Sequence, residues 1–212
     1  MGISKQQAAQ NREAIIQAAE KMFREKGADA VGLNDLMDAA GFTRGGFYNH
    51  FKSKDALVTA VMEKAMRDGA ATVTAIISGS CRKGRDPLDS QIARYLSPEH
   101  RADIESGCPL SGFAGDVPRM DEQARKQYAL GLEGMLEQIT TLVAALGRAP
   151  AEARARAIEV FSEMVGTLLL SRAVAAANPT LSDEILATGR TALRAAAKGH
   201  RTRAAETARA AS

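Results

Sequence analysis

The chain has no tryptophan, only two cysteines among its 212 residues, and 4% aromatic residues. Two cysteines cannot supply the disulfide framework of a small secreted domain, and they favour a reducing cytoplasm. The first residues, MGISKQQAAQNRE, contain no apolar stretch of the kind that a signal peptide needs. The most apolar run, residues 164–177, is too short to span a membrane and contains Arg172. We therefore expect a cytoplasmic protein with no membrane partner.

Proline and glycine are sparse within the apolar repeats and separate them instead, while alanine is abundant. This composition is typical of an all-helical protein. With 45% hydrophobic residues, the chain can bury a sizeable core and form one or two domains. The formal net charge of +3 permits nucleic-acid binding without demonstrating it.

Three short helical patterns open the chain. Residues 11–26 place apolar side chains at helical spacing and are followed by Gly27, a residue type suited to a helix C-cap. Residues 33–40 form a second pattern, and Gly41 supplies a sharp turn before a third pattern at 43–50. This order predicts a helix-turn-helix whose third helix exposes its N-terminus.

The third pattern, TRGGFYNH, is a poor free helix but a good anion site. Thr43 is a suitable N-cap, whereas Arg44 is a cation at the positive end of the helix dipole and Gly45 lowers helix propensity. Ser53 and Lys54 repeat the combination of hydroxyl and cation. Two such helix starts, about ten residues apart, are typical of a protein that binds the nucleic-acid backbone.

The stretch GLNDLMDAAGFTRGGFYNHFKSKDAL resembles the DNA-binding signature of the TetR family of bacterial transcriptional regulators. The resemblance implies that Tyr48 and Lys54 contact phosphates and that Thr43, Arg44 and Asn49 face the groove. Tyr48 can also be interpreted as a residue at the edge of the core. Direct readout is expected to depend on Arg44, with guanine as its natural target. The predicted DNA-binding residues are Thr43, Arg44, Gly45, Tyr48, Asn49 and Lys54.

Breaks at glycine and proline predict the helices that follow. A long helix at 54–78 is expected to join the helix-turn-helix to a helical bundle. Asp86 is a suitable N-cap for a helix at 87–96, with Pro87 at its first position, and further helices are predicted at 121–146, 150–177 and 182–198. We expect three regions: a DNA-binding domain at 1–56, an effector-binding and dimerisation domain at 57–198, and a disordered tail at 199–212.

Apolar or small residues spread around much of the helix at 150–177 and line the helix at 182–198. A helix that is apolar over so wide an arc must bury two faces. We expect a four-helix bundle across a two-fold axis, as in TetR-like proteins, and an internal core is the alternative. The predicted dimer-interface residues are Phe161, Met164, Leu168, Ile185 and Leu193.

The segment ESGCPLSGFAGDVPR resembles a Gly-Cys-Pro segment of a subset of TetR-like proteins, where it lies in the ligand-binding half. Cys108 is either a thiol that senses electrophiles or oxidants at a helix start, or a small apolar residue that lines a pocket. The predicted effector contacts are Cys108, Phe113, Met135 and Phe161.

Catalytic and metal sites are not supported. Cys108 and His100 lack a third group that would orient the histidine, and no oxyanion hole is apparent. Together with Cys81 they also lack the paired spacing of zinc ligands. We expect no catalytic residue, no metal ligand and no cofactor.

These patterns predict an all-α, homodimeric, ligand-responsive regulator that binds a palindromic DNA operator. We expect a repressor that is released by a small apolar or amphipathic molecule. Two alternatives stay open, namely a regulator that responds to modification of Cys108 and one that has no effector.

Overall fold

A computed structural model describes the backbone of residues 4–210 and the side chains of residues 4–195. Every regular element in that part of the chain is helical, which confirms the all-α prediction. The elements in chain order are α1 (Lys5–Lys26), α2 (Leu33–Ala39), a 3₁₀ helix (Arg44–Asn49), α3 (Lys54–Arg82), α4 (Pro87–Tyr95), α5 (Pro98–Ala102), α6 (Pro109–Phe113), a second 3₁₀ helix (Val117–Arg119), α7 (Glu122–Ala144), α8 (Pro150–Val174) and α9 (Pro179–Ala210). No helix within the described range is both long enough and apolar enough to cross a membrane.

Several helix ends follow the predicted capping chemistry. Gly27 ends α1 with a φ of 82°, a conformation that a residue with a side chain adopts only with strain. Asp86 begins α4 by accepting a hydrogen bond from the Leu88 amide at 2.9 Å. Helix α1 starts earlier than predicted, at Lys5, because the Ser4 hydroxyl accepts a hydrogen bond from an amide of its first turn.

The end of α3 and the start of α9 were predicted wrongly. Helix α3 continues through Gly79 to Arg82, and the chain turns instead at Gly84, which has a φ of 61°. Helix α9 begins at Pro179 and not at Ser182, because the Asn178 side chain accepts a hydrogen bond from the Leu181 amide at 3.1 Å. Ser182 is buried inside the helix, where its hydroxyl lies 2.9 Å from that of Ser171.

The chain forms two compact units. Unit 1 contains Met1–Gly69 and Ile104–Gly131, and unit 2 contains Ala70–Asp103 and Leu132–Ser212. Helix α3 therefore contributes its first half to unit 1 and its second half to unit 2. The core of unit 1 is formed by large apolar side chains that are fully buried, among them Ile15, Phe23, Leu36, Phe47, Leu57 and Phe113.

In unit 2, helices α8 and α9 pack closely against each other. A Cβ atom built on Gly189 would lie only 2.6 Å from the Thr167 side chain, so glycine permits this approach. Helix α9 extends beyond residue 198, where the sequence pattern ended it. The predicted disordered tail at 199–212 falls outside the residues whose side chains are described.

Candidate nucleic-acid interface

The 3₁₀ helix presents its polar residues outward. Gly41 makes the preceding turn with a φ of 80°, and the Gly46 amide donates a 2.9 Å hydrogen bond to the Thr43 carbonyl. Thr43 occupies the predicted N-cap position, but its side chain makes no capping hydrogen bond. The helix is thus begun by the backbone alone, and the exposed Thr43 hydroxyl does not cap it.

Two phenylalanines fix the 3₁₀ helix to the core of unit 1. Phe47 is completely buried, and its ring stacks on Phe51 with 5.6 Å between the ring centroids. Tyr48 packs edge-on against Phe47 but is 63% exposed. Because the aromatic anchors hold one side of this helix, its other side carries exposed residues. These are Thr43, Arg44, Gly45, Tyr48 and Asn49.

Glycine at position 45 is not required by the fold. A Cβ atom there would meet nothing within 4 Å, and the φ of Gly45 is not positive. At Gly46 a Cβ would make only an ordinary 3.8 Å contact with Met37. Neither the available space nor the backbone conformation requires glycine here. Its lack of a side chain is therefore suited to the close approach of another molecule to this exposed helix.

The start of α3 supplies a second polar group in the same unit. The Ser53 hydroxyl accepts a hydrogen bond from the Ala56 amide at 3.1 Å, as the predicted cap requires. Lys54 is partly exposed, and its ammonium group lies 3.4 Å from the Asp29 carbonyl oxygen. The structure therefore brings all six predicted DNA-binding residues into unit 1, each with at least part of its surface accessible.

The segment Ile104–Gly131 packs on α1 and α3 within unit 1, which the sequence did not predict. Tyr128 donates a 2.7 Å hydrogen bond to the Leu110 carbonyl, and burial raises the pKa of Tyr128 to about 12, with the charge of Cys108 adding to the effect. Arg24 donates to the Gly107 carbonyl at 2.7 Å. Arg24 lies outside the apolar side of the helical pattern, yet it is buried. The only signal in the sequence is its spacing of four residues from Glu20.

The predicted effector residues are divided between the two units. Cys108 and Phe113 belong to unit 1, where Cys108 is the partly buried N-cap of α6 and Phe113 is buried. Met135 and Phe161 are buried in unit 2, and the Phe161 ring lies 6.3 Å from that of Tyr95. Sequence spacing carries no information about this division.

Most of the predicted dimer-interface residues are already buried within a single chain. Phe161, Met164, Leu168 and Leu193 are at most 4% exposed, and Ile185 is partly exposed. A second subunit would therefore meet other side chains of α8 and α9. The exposed large apolar residues of these helices are Ile158, Leu169, Leu170 and Leu181.

The two cysteines and the histidine considered as zinc ligands do not form a site. Cys81 and His100 belong to unit 2 and Cys108 to unit 1. Within the described residues, no group of three His, Cys, Asp or Glu side chains is arranged to hold a metal ion. His100 is buried and its ring lies 2.7 Å from the Tyr95 carbonyl oxygen, and burial lowers the pKa of His100.

Comparison with known proteins identifies the N-terminal helices. The family model described as "Bacterial regulatory proteins, tetR family" matches residues 15–61. An uncharacterized HTH-type transcriptional regulator of Mycobacterium tuberculosis is 28% identical over 168 residues, which is 76% of this chain and 84% of that protein. The HTH-type transcriptional repressor NemR of Escherichia coli is 23% identical over 125 residues, 59% of this chain and 63% of that protein.

Solved structures share the fold. The reduced form of E. coli NemR has a TM-score of 0.71 at 19% identity and covers 87% of this chain and 96% of its own. A TetR transcriptional regulator from Chloroflexus aurantiacus has a TM-score of 0.75 at 20% identity, with coverage of 90% and 95%. The matched residues 15–61 include the exposed 3₁₀ helix and the capped start of α3. The N-terminal helices therefore match the DNA-binding region of the TetR family of bacterial transcriptional regulators, and the chain shares the all-helical fold of solved TetR-family structures.

Proposed function

We propose that this chain is a repressor that binds a palindromic DNA operator as a homodimer and is released from it by a small molecule. The observation that carries the proposal is the 3₁₀ helix, whose polar side chains and Gly45 are exposed while Phe47 anchors it to the core. Regulators of the TetR family bind operator DNA and small-molecule effectors and act as dimers. NemR, a relative within the family, is itself a repressor.

The resemblance to the TetR family implies a role for each of the accessible side chains. Arg44 reads a base edge, with guanine O6 and N7 as its target, and Thr43 and Asn49 add polar contacts in the major groove. Tyr48 and Lys54 hold phosphates and set the orientation of the helix. The open space around Gly45 lets the phosphate backbone approach the 3₁₀ helix closely.

The homodimer is formed by α8 and α9. Four large apolar side chains on these helices are exposed to water in a single chain, which is unfavourable. They are Ile158, Leu169, Leu170 and Leu181. A two-fold axis would pair each surface with its own copy and produce a four-helix bundle. Two recognition helices are then held at a fixed spacing, which a palindromic operator requires.

The effector is a small apolar or amphipathic molecule. Met135 and Phe161, which are buried in unit 2, supply apolar and aromatic contacts. The ligand acts by favouring a conformation whose recognition helices no longer fit the operator, so it needs only a difference in affinity between two states. No unfolding is required.

Thiol modification of Cys108 is the second candidate signal. Cys108 is partly buried at the start of α6, and its carbonyl accepts a 3.0 Å hydrogen bond from the Ser111 hydroxyl. A bulky group added to the sulfur would alter this turn. Cys108→Ser separates the two candidates, because it abolishes a thiol response and preserves the response to a non-covalent ligand.

The test is selection of bound DNA from a randomized duplex pool by the full-length protein, followed by mobility-shift titration of the selected duplex. A palindromic consensus bound with two protomers per duplex is expected. Failure to enrich any duplex at low salt would refute DNA binding by this chain. A screen of amphipathic compounds against the complex then tests release.

A further inference from the structure

Arg24 links helix α1 to the turn that precedes α6. Its Nη1 donates a 2.7 Å hydrogen bond to the Gly107 carbonyl, and its Nη2 donates a 2.7 Å hydrogen bond to Glu20 Oε1. The guanidinium carbon lies 5.2 Å from the centroid of the Phe113 ring. We call Arg24, Glu20 and the Gly107 carbonyl the Arg24 clamp.

The clamp also reaches α3. Glu20 Oε2 lies 3.4 Å from Lys64 Nζ, and Lys64 forms a 2.6 Å ion pair with Asp68. Burial lowers the pKa of Lys64, but the Asp68 hydrogen bond and the Glu20 charge outweigh it, so the pKa is raised and the ammonium form is favoured. A run of charged groups thus joins the Gly107 turn, α1 and the first half of α3.

Burying Arg24 in this clamp costs more free energy than an exposed contact between α1 and the Gly107 turn would cost. The Arg24 side chain is 3% exposed, and its Nε has no hydrogen-bond partner among the described residues. A buried hydrogen-bond donor without a partner destabilises the folded arrangement of the clamp. The same two parts of the chain are also joined by Lys21 and Glu105, whose exposed ion pair measures 3.2 Å and buries neither charge.

A second arginine holds the residues just before this segment. In unit 2, Arg172 on α8 donates hydrogen bonds to the carbonyls of His100, Arg101 and Asp103 at 2.6, 3.0 and 2.9 Å. Asp103 is the last residue of unit 2 before Ile104 begins the segment in unit 1. Three residues, 104–106, therefore separate the stretch held by Arg172 from Gly107.

We propose that Arg24 is a positioning residue that couples the conformation of the Gly107 turn to the DNA-binding helices. This inference rests on the proposed DNA-binding function. Displacement of the turn removes the acceptor from Nη1 and leaves a buried cation short of a partner, so α1 and its neighbours must adjust. By reciprocity, DNA bound to unit 1 stabilises the turn.

The experiment is hydrogen-exchange mass spectrometry of the full-length protein with and without the DNA duplex that it selects. In the wild type, bound duplex should slow exchange of the α6 amides by about 5- to 150-fold, the range of typical coupling between sites. Arg24→Met should remove this DNA-dependent slowing. Arg24→Lys, which keeps the charge but cannot form the two-pronged contact, should remove most of it.

The matched control is Lys21→Met, which breaks the exposed ion pair between α1 and the same segment and should leave the slowing intact. A purely structural role for Arg24 would raise exchange throughout unit 1 but preserve the difference caused by DNA. If Arg24→Met retains the wild-type difference, or if Lys21→Met abolishes it equally, the coupling role is refuted.

Glu20→Gln covers the case in which Arg24→Met does not fold. It keeps an oxygen acceptor beside Nη2 but removes the charge that also pairs with Lys64, and it should reduce the slowing. An unchanged value in both Glu20→Gln and Arg24→Lys would overturn the proposal. Absence of any selected duplex would refute the proposed function, whereas normal binding with unchanged exchange would refute only the role of Arg24.

Discussion

Tyr128 ties α7 to α6 through its hydrogen bond to the Leu110 carbonyl, and its elevated pKa makes this contact sensitive to alkali. The pKa is about 12 in the folded chain, against an ordinary value of 10.0. Since the neutral phenol is favoured by folding, the associated stability is complete below pH 10 and is lost between pH 10 and 12. The phenol proton of Tyr128 that forms the hydrogen bond to the Leu110 carbonyl is the proton that is lost at high pH.

Tyr128→Phe should therefore lower the free energy of unfolding at pH 7 by about 1 kcal/mol, the usual contribution of one hydrogen bond. The wild type should then lose this advantage as the pH rises from 10 to 12. Urea unfolding of both proteins at several pH values measures the difference, which cancels the titration of other groups. A constant difference across that range would contradict the assignment.

Replacing Lys54 best distinguishes contact with the DNA phosphate backbone from recognition of the bases. Lys54→Ala should weaken binding to every duplex and reduce the slope of log affinity against log salt by about one unit, because one phosphate contact is lost. Lys126→Ala is the control, since Lys126 is exposed on α7 and pairs with Glu122. Equal salt slopes for Lys54→Ala and the wild type would remove Lys54 from the interface.

At the scale of single elements, α3 contains two glycines in contrasting surroundings. A Cβ built on Gly69 would lie 2.9 Å from Pro109 Cγ and 3.1 Å from Pro109 Cδ, whereas one on Gly79 would meet only Arg82 Nη2 at 4.0 Å. The proline ring is rigid, so it cannot move away as a flexible side chain would. Gly69 therefore sets how closely α3 approaches the start of α6.

Gly79→Ala should stabilise the protein by up to about 1 kcal/mol, because alanine favours a helix interior over glycine. Gly69→Ala should lose this gain to the contact with Pro109 and should be neutral or destabilising. Thermal unfolding of the two variants provides a matched comparison within one helix. Equal stabilisation by both substitutions would mean that the Pro109 contact is not tight.

The sequence predicted those features of the elements that depend on neighbouring residues. The Gly27 and Asp86 caps are local, and they were predicted correctly. The start of α9 was missed because Asn178 and Ser182 both suit an N-cap, and only packing against Ser171 decides between them. Arg24 was missed because its acceptor, Gly107, is distant in the sequence.

At the scale of the whole molecule, the proposed dimerisation would depend on side chains that a single chain leaves exposed. Leu168→Glu would place a charge in the core of unit 2, since Leu168 is fully buried, and would unfold the chain before it tested the interface. Leu170 is 62% exposed on the same helix and is the better site. The sequence could predict an apolar helix but not which of its faces is already covered.

Leu170→Glu should produce a folded monomer, with weaker DNA binding because two recognition helices are no longer held together. Leu130→Glu is the matched control, because Leu130 is 66% exposed on α7. Sedimentation velocity and circular dichroism measure assembly and folding separately. A dimeric Leu170→Glu protein would exclude this face of α8, and a monomeric wild type would refute dimerisation itself.

Unit 1 is assembled from two stretches of chain that are separated by residues 70–103. During synthesis, the N-terminal helices leave the ribosome before the Phe113 ring and the Gly107 carbonyl, both of which contact Arg24, have been made. A fragment cut after Gly69 would leave Arg24 without this ring and without its carbonyl acceptor. A hybrid regulator that borrows the DNA-reading end of this protein should therefore also carry residues 104–131.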